Sequence, residues 1–456
     1  MLIEKDISIN RSITDVYKYV LDFSQLYEWD DHVMEGQRVD LGPIQVGSKF
    51  CFVYSFFGHL QELECTLKSI KPENLLLVSC EAPSFKAVNR ITFQRSGDKQ
   101  TKITYRVEID VQSKIKALLF FPFMEKIGSR VVTRLKECLE NEETIYPKNK
   151  PLTLLNLSFR FTMKGWNYRR KQFSATSSQP KTVLITGATS GLGKSVAFSL
   201  AGKGCNLLLV GRNQEKIRAL ESDLREQGFD KEIRIYICDM QNLHSVHQMC
   251  TQIITERMNI DVLINNAGAL FAEAFEVEGI ERTTVVDLIA PWIISCKLLQ
   301  QIRTGGCIIN VSSGGMYSCA LSLSKLKIPD EPFSGSKAYA MAKRAMVVAS
   351  RGLNAHTEPK GIRVHCMQPG WADTPGILNS LPNFHKLTKR WLRTPFQGAD
   401  TIVWLAMRNP QAGGQFWLDR QIQPHHILKS TEIPESSDQE LREFLETFSK
   451  PNAPKD

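Results

Sequence analysis

A glycine-rich turn, Thr186-Gly187-Ala188-Thr189-Ser190-Gly191-Leu192-Gly193, stands between a short apolar run and an alanine-rich periodic one. The preceding run, Lys181 to Ile185, has the pattern of a buried parallel strand. The following run, Lys194 to Ala201, reads as a helix. Strand, glycine turn and helix together are what give a glycine motif weight. Glycines let the backbone bend tightly and approach a pyrophosphate, and the helix N-terminus presents unpaired N–H groups to the anion. Gly187, Thr189, Ser190, Gly191, Leu192 and Gly193 are therefore candidate cofactor contacts. Alone, the turn would read equally well as an ordinary strand-to-helix connection.

The next strand, Asn206 to Val210, leads into Gly211-Arg212-Asn213. Dinucleotide folds often place an acid here for the ribose 2′-hydroxyl. No acid is present, and Arg212 can instead pair with a 2′-phosphate. This favours NADP(H) over NAD(H); the plain alternative is an arginine facing solvent. Further strands end in polar groups: Ile233–Cys238 in Asp239-Met240, Asp261–Ile264 in Asn265-Asn266-Ala267-Gly268, Cys307–Val311 in Ser312-Ser313, and Ile362–Met367 in Pro369-Gly370. Open α/β sheets bind ligands at the C-terminal ends of their strands. Downstream, Tyr339 and Lys343 stand one helical turn apart. A tyrosine titrates near 10, so a neighbouring ammonium is needed to favour its phenolate.

This ordered set resembles the short-chain dehydrogenase/reductase family over roughly Lys181 to Ile427. The stretches Val311–Met316 and Pro369–Gly376 look closest to its subgroup called dehydrogenase/reductase family member twelve. The resemblance implies an α/β Rossmann fold with a doubly wound parallel sheet. It implies Tyr339 as general acid or base, Lys343 as the group that lowers its pKa and holds the nicotinamide ribose, and Ser313 as the substrate-oxygen partner. It also implies cofactor contacts at Asp239, Met240, Asn266, Ala267, Gly268, Tyr339, Lys343, Pro369 and Gly370. One position departs: where the family often has asparagine, this chain has Asp287. A carboxylate there can hold a water, or oppose tyrosinate formation by like charge.

At 456 residues the chain exceeds one ordinary core, so further domains are expected. The expected division is 1–145, a linker over 146–179, the dehydrogenase part over 180–430 and a tail over 431–456. The eleven cysteines form no Cys-x-x-Cys and no metal-like cluster. They read as small buried hydrophobes in a reducing compartment. No signal peptide or apolar window of membrane-spanning length is seen, so a cytoplasmic protein without a metal is expected.

Net charge is +9, and from Ile145 to Gln179 there are seven bases and no acids. Leu155, Phe159, Met163 and Trp166 recur there at helical spacing. Residues 146–172 thus suit either a helix packed on the protein or peripheral contact with an anionic membrane, and the alternation Leu157, Phe159, Phe161, Met163 permits a strand. Nothing resembles a nucleic-acid module.

Within residues 1–145, an alternating run (Ile3–Ile9) and a helical segment (Ile13–Leu21) precede strands over 49–56, 60–70, 74–80, 87–95 and 101–111. A helix over Met124–Asn141 closes the region, with an apolar loop, Leu118–Phe123, before it. This is an α+β helix-grip layout. The segment Asp15–Asp30 resembles the opening of the START-like, polyketide cyclase/lipid-binding superfamily, which implies a cavity for an apolar ligand. Trp29, Phe56, Phe57, His59 and Phe85 are candidate cavity residues, with a filled core as the alternative.

The sequence thus predicts an NADP(H)-dependent oxidoreductase acting on an apolar substrate, with a lipid site in the N-terminal domain and a homodimer as a further option. Its rivals are a non-catalytic lipid-binding or regulatory protein with a cofactor-sensing Rossmann domain, and catalysis by the N-terminal module as a cyclase.

Overall fold

The computed structural model describes residues 1–56, 59–111, 114–140, 159–170, 173, 179–328 and 332–449. Two compact units emerge: Met1–Glu143 with Asn167–Ser177 and Arg225–Asp230, and Thr144–Trp166 with Ser178–Leu224 and Lys231–Asp456.

The first unit is one antiparallel sheet of seven strands, β1 (Leu2–Ile9), β2 (Val33–Arg38), β3 (Lys49–Phe56), β4 (His59–Lys71), β5 (Leu75–Ala82), β6 (Phe85–Gly97) and β7 (Gln100–Val111). The strand order is β1-β7-β6-β5-β4-β3-β2. Alternation sets the buried face: Leu76, Val78 and Cys80 on β5, and Ala87, Asn89, Ile91 and Phe93 on β6, point to one side. A helix, Lys114–Glu140, buries Val131, Val132, Leu135, Cys138 and Leu139 in the same core. Sheet and helix together form a helix-grip fold.

Three expectations change here. Leu118–Phe123 lies within the long helix, not in a loop before it. Strand β2 has no clear alternation in sequence and was not anticipated. Cys65 and Cys80 are a disulfide, not separate thiols: the β4–β5 register sets them directly opposite, with Cα atoms 4.2 Å apart. Of the candidate cavity residues, Trp29 is core, edge-to-face with Phe23 at 5.9 Å and Tyr105 at 6.4 Å. Phe85 is half-buried, while Phe57 and the side chains of Phe56 and His59 lie outside the described residues.

The second unit is a doubly wound α/β sheet, β8 (Thr182–Thr186), β9 (Asn206–Gly211), β10 (Ile233–Ile237), β11 (Ile260–Asn265), then a small hairpin β12–β13 (Glu276–Val277, Ile280–Glu281), β14 (Ile302–Val311), β15 (Arg363–Met367), β16 (Phe416–Leu418) and β17 (Gln421–Gln423). The main order is β10-β9-β8-β11-β14-β15-β16-β17, parallel except for the final β16–β17 pair. Continuous apolar runs suit strands covered on both faces, as in Val183–Ile185 and Leu207–Val210, all fully buried. Order reverses between β8 and β11, the switch point where such sheets bind ligands. Residues 431–449 carry a helix, Asp438–Glu446, with a Ser437/Glu440 capping box, and it buries Leu441 and Leu445 in the core. No described helix is long and apolar enough to cross a membrane.

Candidate active site

The glycine turn sits at the end of β8 and opens the helix Gly191–Gly202. Ser190 is its N-cap but gives no side-chain capping bond, so the first N–H groups lack a side-chain acceptor. At Gly193 a Cβ would strike the Gly187 carbonyl and come within 2.7 Å of Asn266 Nδ2. That close approach explains why glycine is required there. Asn266 ties the turn to β11, donating from Nδ2 to the Thr186 carbonyl at 2.9 Å. The Thr186 hydroxyl accepts from the N–H groups of Asn266 and Ala267, both at 3.0 Å. A bare backbone hollow at an uncapped helix start fits a dinucleotide pyrophosphate. Arg212 is exposed directly after β9, and a Cβ on the preceding Gly211 would meet Thr189 at 2.9 Å. Asp239 caps its own loop by accepting from the Gln241 N–H at 3.0 Å, whereas the Met240 side chain is buried in the core.

Tyr339 and Lys343 lie on the helix Gly335–Thr357, one turn apart. The Lys343 ammonium is 5.5 Å from the Tyr339 ring centre. It donates to the Val311 carbonyl at 2.9 Å and pairs with Asp287 Oδ1 at 2.8 Å. Asp287 stands in a π-helical turn, Val285–Ile289, and its other oxygen accepts from the Ala269 N–H at 3.2 Å. At Gly268 a Cβ would meet Asp287 Oδ1 at 2.5 Å and Lys343 Nζ at 3.3 Å. Both members of the pair are fully buried. Burial pushes the Asp287 carboxyl up, and the Lys343 charge opposes that rise. Burial presses the Lys343 ammonium down, but Asp287, Tyr339 and Cys366 together outweigh it and the net direction is up. Burial also raises the Tyr339 phenol; Lys343 and a hydrogen bond with Ser313 oppose this, and the Asp287 charge adds to it.

The two serines separate cleanly. Ser312 is buried and donates to the Lys343 carbonyl at 3.0 Å, a structural bond. Ser313 is only partly buried, and its hydroxyl accepts from the Gly315 N–H at 3.2 Å. The fold thus brings Ser313, Tyr339, Lys343 and Asp287 together, with Gly268 of the loop after β11 against the Asp287–Lys343 pair. Pro369 and Gly370 follow the end of β15. The Asp287–Lys343 ion pair was not foreseen. The sequence offers Asp287 as a holder of water or as a charge opposing the tyrosinate; in the structure it raises the Tyr339 phenol and also pairs with the lysine.

Sequence reasoning also missed a strap. Phe159–Phe161 forms a helical turn, so the strand option for 157–163 fails over its described part. The Phe161 ring lies against Gly314, where a Cβ would strike it, and stacks edge-on to Trp371 at 6.0 Å. The Phe161 carbonyl accepts from the Trp371 N–H at 2.8 Å and from Arg393 Nε at 3.1 Å. Arg393, itself buried, also bonds the carbonyls of Arg160 and Pro369 and pairs with Asp419 at 2.6 Å. The strap thereby supports the chain at Gly314, next to Ser313, and at Pro369–Trp371. Arg160, Arg169 and Arg170 are buried, not displayed, and burial lowers the Arg170 guanidinium to about 10. The described bases of 146–172 therefore do not form an open membrane face, apart from the exposed Lys164.

The substrate-loop region folds as two short helices, Pro375–Ser380 and Pro382–Thr388, and a turn, Lys389–Trp391. Thr374 and Pro375 abut Gly191, and the Ser380 hydroxyl donates to the Leu270 carbonyl at 2.8 Å. These helices therefore lie against the glycine turn and the loop after β11.

The short chain dehydrogenase family profile matches residues 181–381, and the polyketide cyclase / dehydrase and lipid transport profile matches residues 2–141. Dehydrogenase/reductase SDR family member 12 of Bos taurus is 30% identical over 302 residues, covering 64% of this chain and 94% of that protein. Human retinol dehydrogenase 13 is 28% identical, covering 52% of this chain and 70% of that protein. A 3beta-hydroxysteroid dehydrogenase of Mediterraneibacter gnavus is 30% identical, covering 49% of this chain and 77% of that protein. Given a relative matched over nearly its whole length, and a glycine turn and Ser-Tyr-Lys site arranged as described, the chain belongs to the short-chain dehydrogenase/reductase family.

Proposed function

We propose that this protein is an NADP(H)-dependent oxidoreductase interconverting a carbonyl and an alcohol on an apolar molecule, lipid-, steroid- or retinoid-like, and that its N-terminal unit binds an apolar ligand. The observation that carries the reading is the convergence of Ser313, Tyr339 and Lys343 beside the uncapped glycine turn. When bound, the nicotinamide supplies or accepts the hydride. Gly187 to Gly193 would hold its pyrophosphate, Arg212 its 2′-phosphate, and Asp239 the adenine side. Lys343 spends two of its three donors on Asp287 and Val311, leaving one for a ribose hydroxyl. Ser313 orients the substrate oxygen. Tyr339 gives that oxygen a proton in reduction and takes it back in oxidation. The Asp287 carboxylate is a positioning group that fixes Lys343 and favours the protonated tyrosine.

The apolar substrate class rests on relatives named for retinol and a hydroxysteroid. The buried Asp287–Lys343 pair favours a second reading, a protein that binds cofactor without turning over. NADPH consumption with a panel of retinoid aldehydes and ketosteroids separates the two. Turnover supports the first; tight NADPH binding without turnover supports the second. In the same assay NADPH is expected to bind more tightly than NADH. Arg212→Ala should erase most of that preference, about tenfold or more for a charge-assisted contact. Equal affinities in the parent chain would remove Arg212 from the argument.

For the N-terminal unit, the lipid-transport profile and the one-sided antiparallel sheet under a long helix support ligand binding. Arg134 donates to the Phe173 carbonyl at 2.9 Å, and Arg170 to the carbonyls of Tyr27 and Asp31 at 2.6 and 2.7 Å. Residues beyond 145 thus complete this unit, and the full chain is the right material. Native mass spectrometry of the purified chain is expected to show a bound apolar molecule released by organic solvent. A chain that runs at its bare mass and takes up no fatty acid or sterol refutes this half alone.

A further inference from the structure

We propose that the outer face of the helices Pro375–Ser380 and Pro382–Thr388, with the Lys389–Trp391 turn, docks on an anionic lipid bilayer. Leu378, Leu387 and Trp391 are 49%, 77% and 45% exposed. Lys386, Lys389 and Arg390 are exposed among them. Between Asp373 and Asp400 there is no acidic residue. Asn383, Lys386, Leu387, Arg390 and Trp391 recur at the spacing of one helical face.

These apolar side chains are not overflow from a core, because the inner side of the same segment is fully used. Phe384 packs edge-on against Trp371 at 5.2 Å, and the buried His385 ring bonds Asp373 at 2.9 Å. Thr388 is buried, and its hydroxyl donates to the Phe384 carbonyl at 2.7 Å. The His385 bond engages the Asp373 carboxylate. What remains outside is cationic and apolar at once. Trp and Leu settle at the headgroup level of a bilayer, and Lys and Arg gain from an anionic leaflet. A second copy is a poor occupant, since a two-fold contact sets this patch against itself and brings like charges together. The described bases Arg160, Arg169 and Arg170 are buried and do not compete for the role.

The proposal does not depend on the catalytic reading. If both hold, the site beneath these helices opens next to the lipid that carries an apolar substrate.

Sedimentation of the full chain with extruded vesicles tests it. Binding is expected to phosphatidylcholine vesicles containing phosphatidylserine, to weaken with salt, and to be slight with phosphatidylcholine alone. Each base contributes about fivefold at such a surface, so Lys386→Gln, Lys389→Gln and Arg390→Gln combined should weaken binding about a hundredfold. Leu387→Gln should weaken it about tenfold. On the unmodified chain, hydrogen exchange over 378–391 should slow when the anionic vesicles are added. No vesicle binding by the parent, unchanged exchange over 378–391, or a triple variant that binds like the parent each overturns the assignment. So does concentration-dependent self-association abolished by Leu387→Gln, which would make the face a dimer contact.

Discussion

Replacing Tyr339 by phenylalanine is expected to lower turnover by about 10²–10⁴-fold while leaving NADPH affinity nearly unchanged. The substitution removes one oxygen and keeps the ring. The Lys343 ammonium still has Asp287 at 2.8 Å and the Val311 carbonyl at 2.9 Å, so its geometry does not depend on the phenol. The glycine turn is built from other residues altogether. What would be lost, on the proposed mechanism, is the group that passes a proton to the substrate oxygen, with Ser313 beside it. Stopped-flow absorbance of the reduced nicotinamide gives turnover, and fluorescence titration gives affinity. Undiminished turnover would take Tyr339 out of the mechanism.

Asp287→Asn is expected to move the tyrosine's apparent pKa downward and to raise neutral-pH oxidation by about tenfold or more. The sign follows from the charges. In the parent chain, burial holds the Tyr339 phenol above its usual value, Lys343 pulls it down, and the Asp287 carboxylate raises it further. Asparagine removes the anion but keeps an acceptor for the Ala269 N–H and for Lys343. The ammonium then acts on the phenolate uncompensated. The other groups facing this pair are Ser313 and the Cys366 thiol, which burial pushes up to about 12 and leaves neutral. Reduction needs the protonated phenol, so its alkaline loss should begin at lower pH in the variant. Oxidation needs the phenolate, so its rise should also begin at lower pH, and the neutral rate should increase. Superimposable pH–rate profiles for parent and variant would mean that Asp287 holds Lys343 in place without tuning the tyrosine.

On the proposed mechanism, the parent arrangement therefore favours reduction over oxidation at neutral pH. The lysine is fixed and its charge is partly offset by Asp287, so on the proposed mechanism the tyrosine holds its proton more firmly at neutral pH. The same pair limits the reverse reaction, because a tyrosinate must form near a carboxylate in a buried site.

Much of this molecule could be read from local sequence. The β3 strand falls at Lys49–Phe56 as its alternation predicts, and the parallel strands appear as short apolar runs, because burial on one or both faces writes itself into residue order. The glycine turn and the Tyr339–Lys343 spacing are likewise local, since each depends on a few neighbouring residues and one turn of helix. Other features depend on residues that meet only after folding. Asp287 and Lys343 lie on separate elements, and their ion pair exists because a π-helical turn aims one at the other across Gly268. Ser312 and Ser313 are equivalent in composition; the strand end turns one inward to the Lys343 carbonyl and leaves the other at the site. Cys65 and Cys80 become partners through strand register, which a list of spacings does not contain. The strap at Phe161 is held by Arg393, far along the chain, through carbonyl groups that every residue possesses. Periodicity and motif order thus determined the architecture and nominated the reacting groups. Tertiary structure decided their charge environment and their supports, because electrostatic and packing energies depend on distance in space and not on separation in sequence.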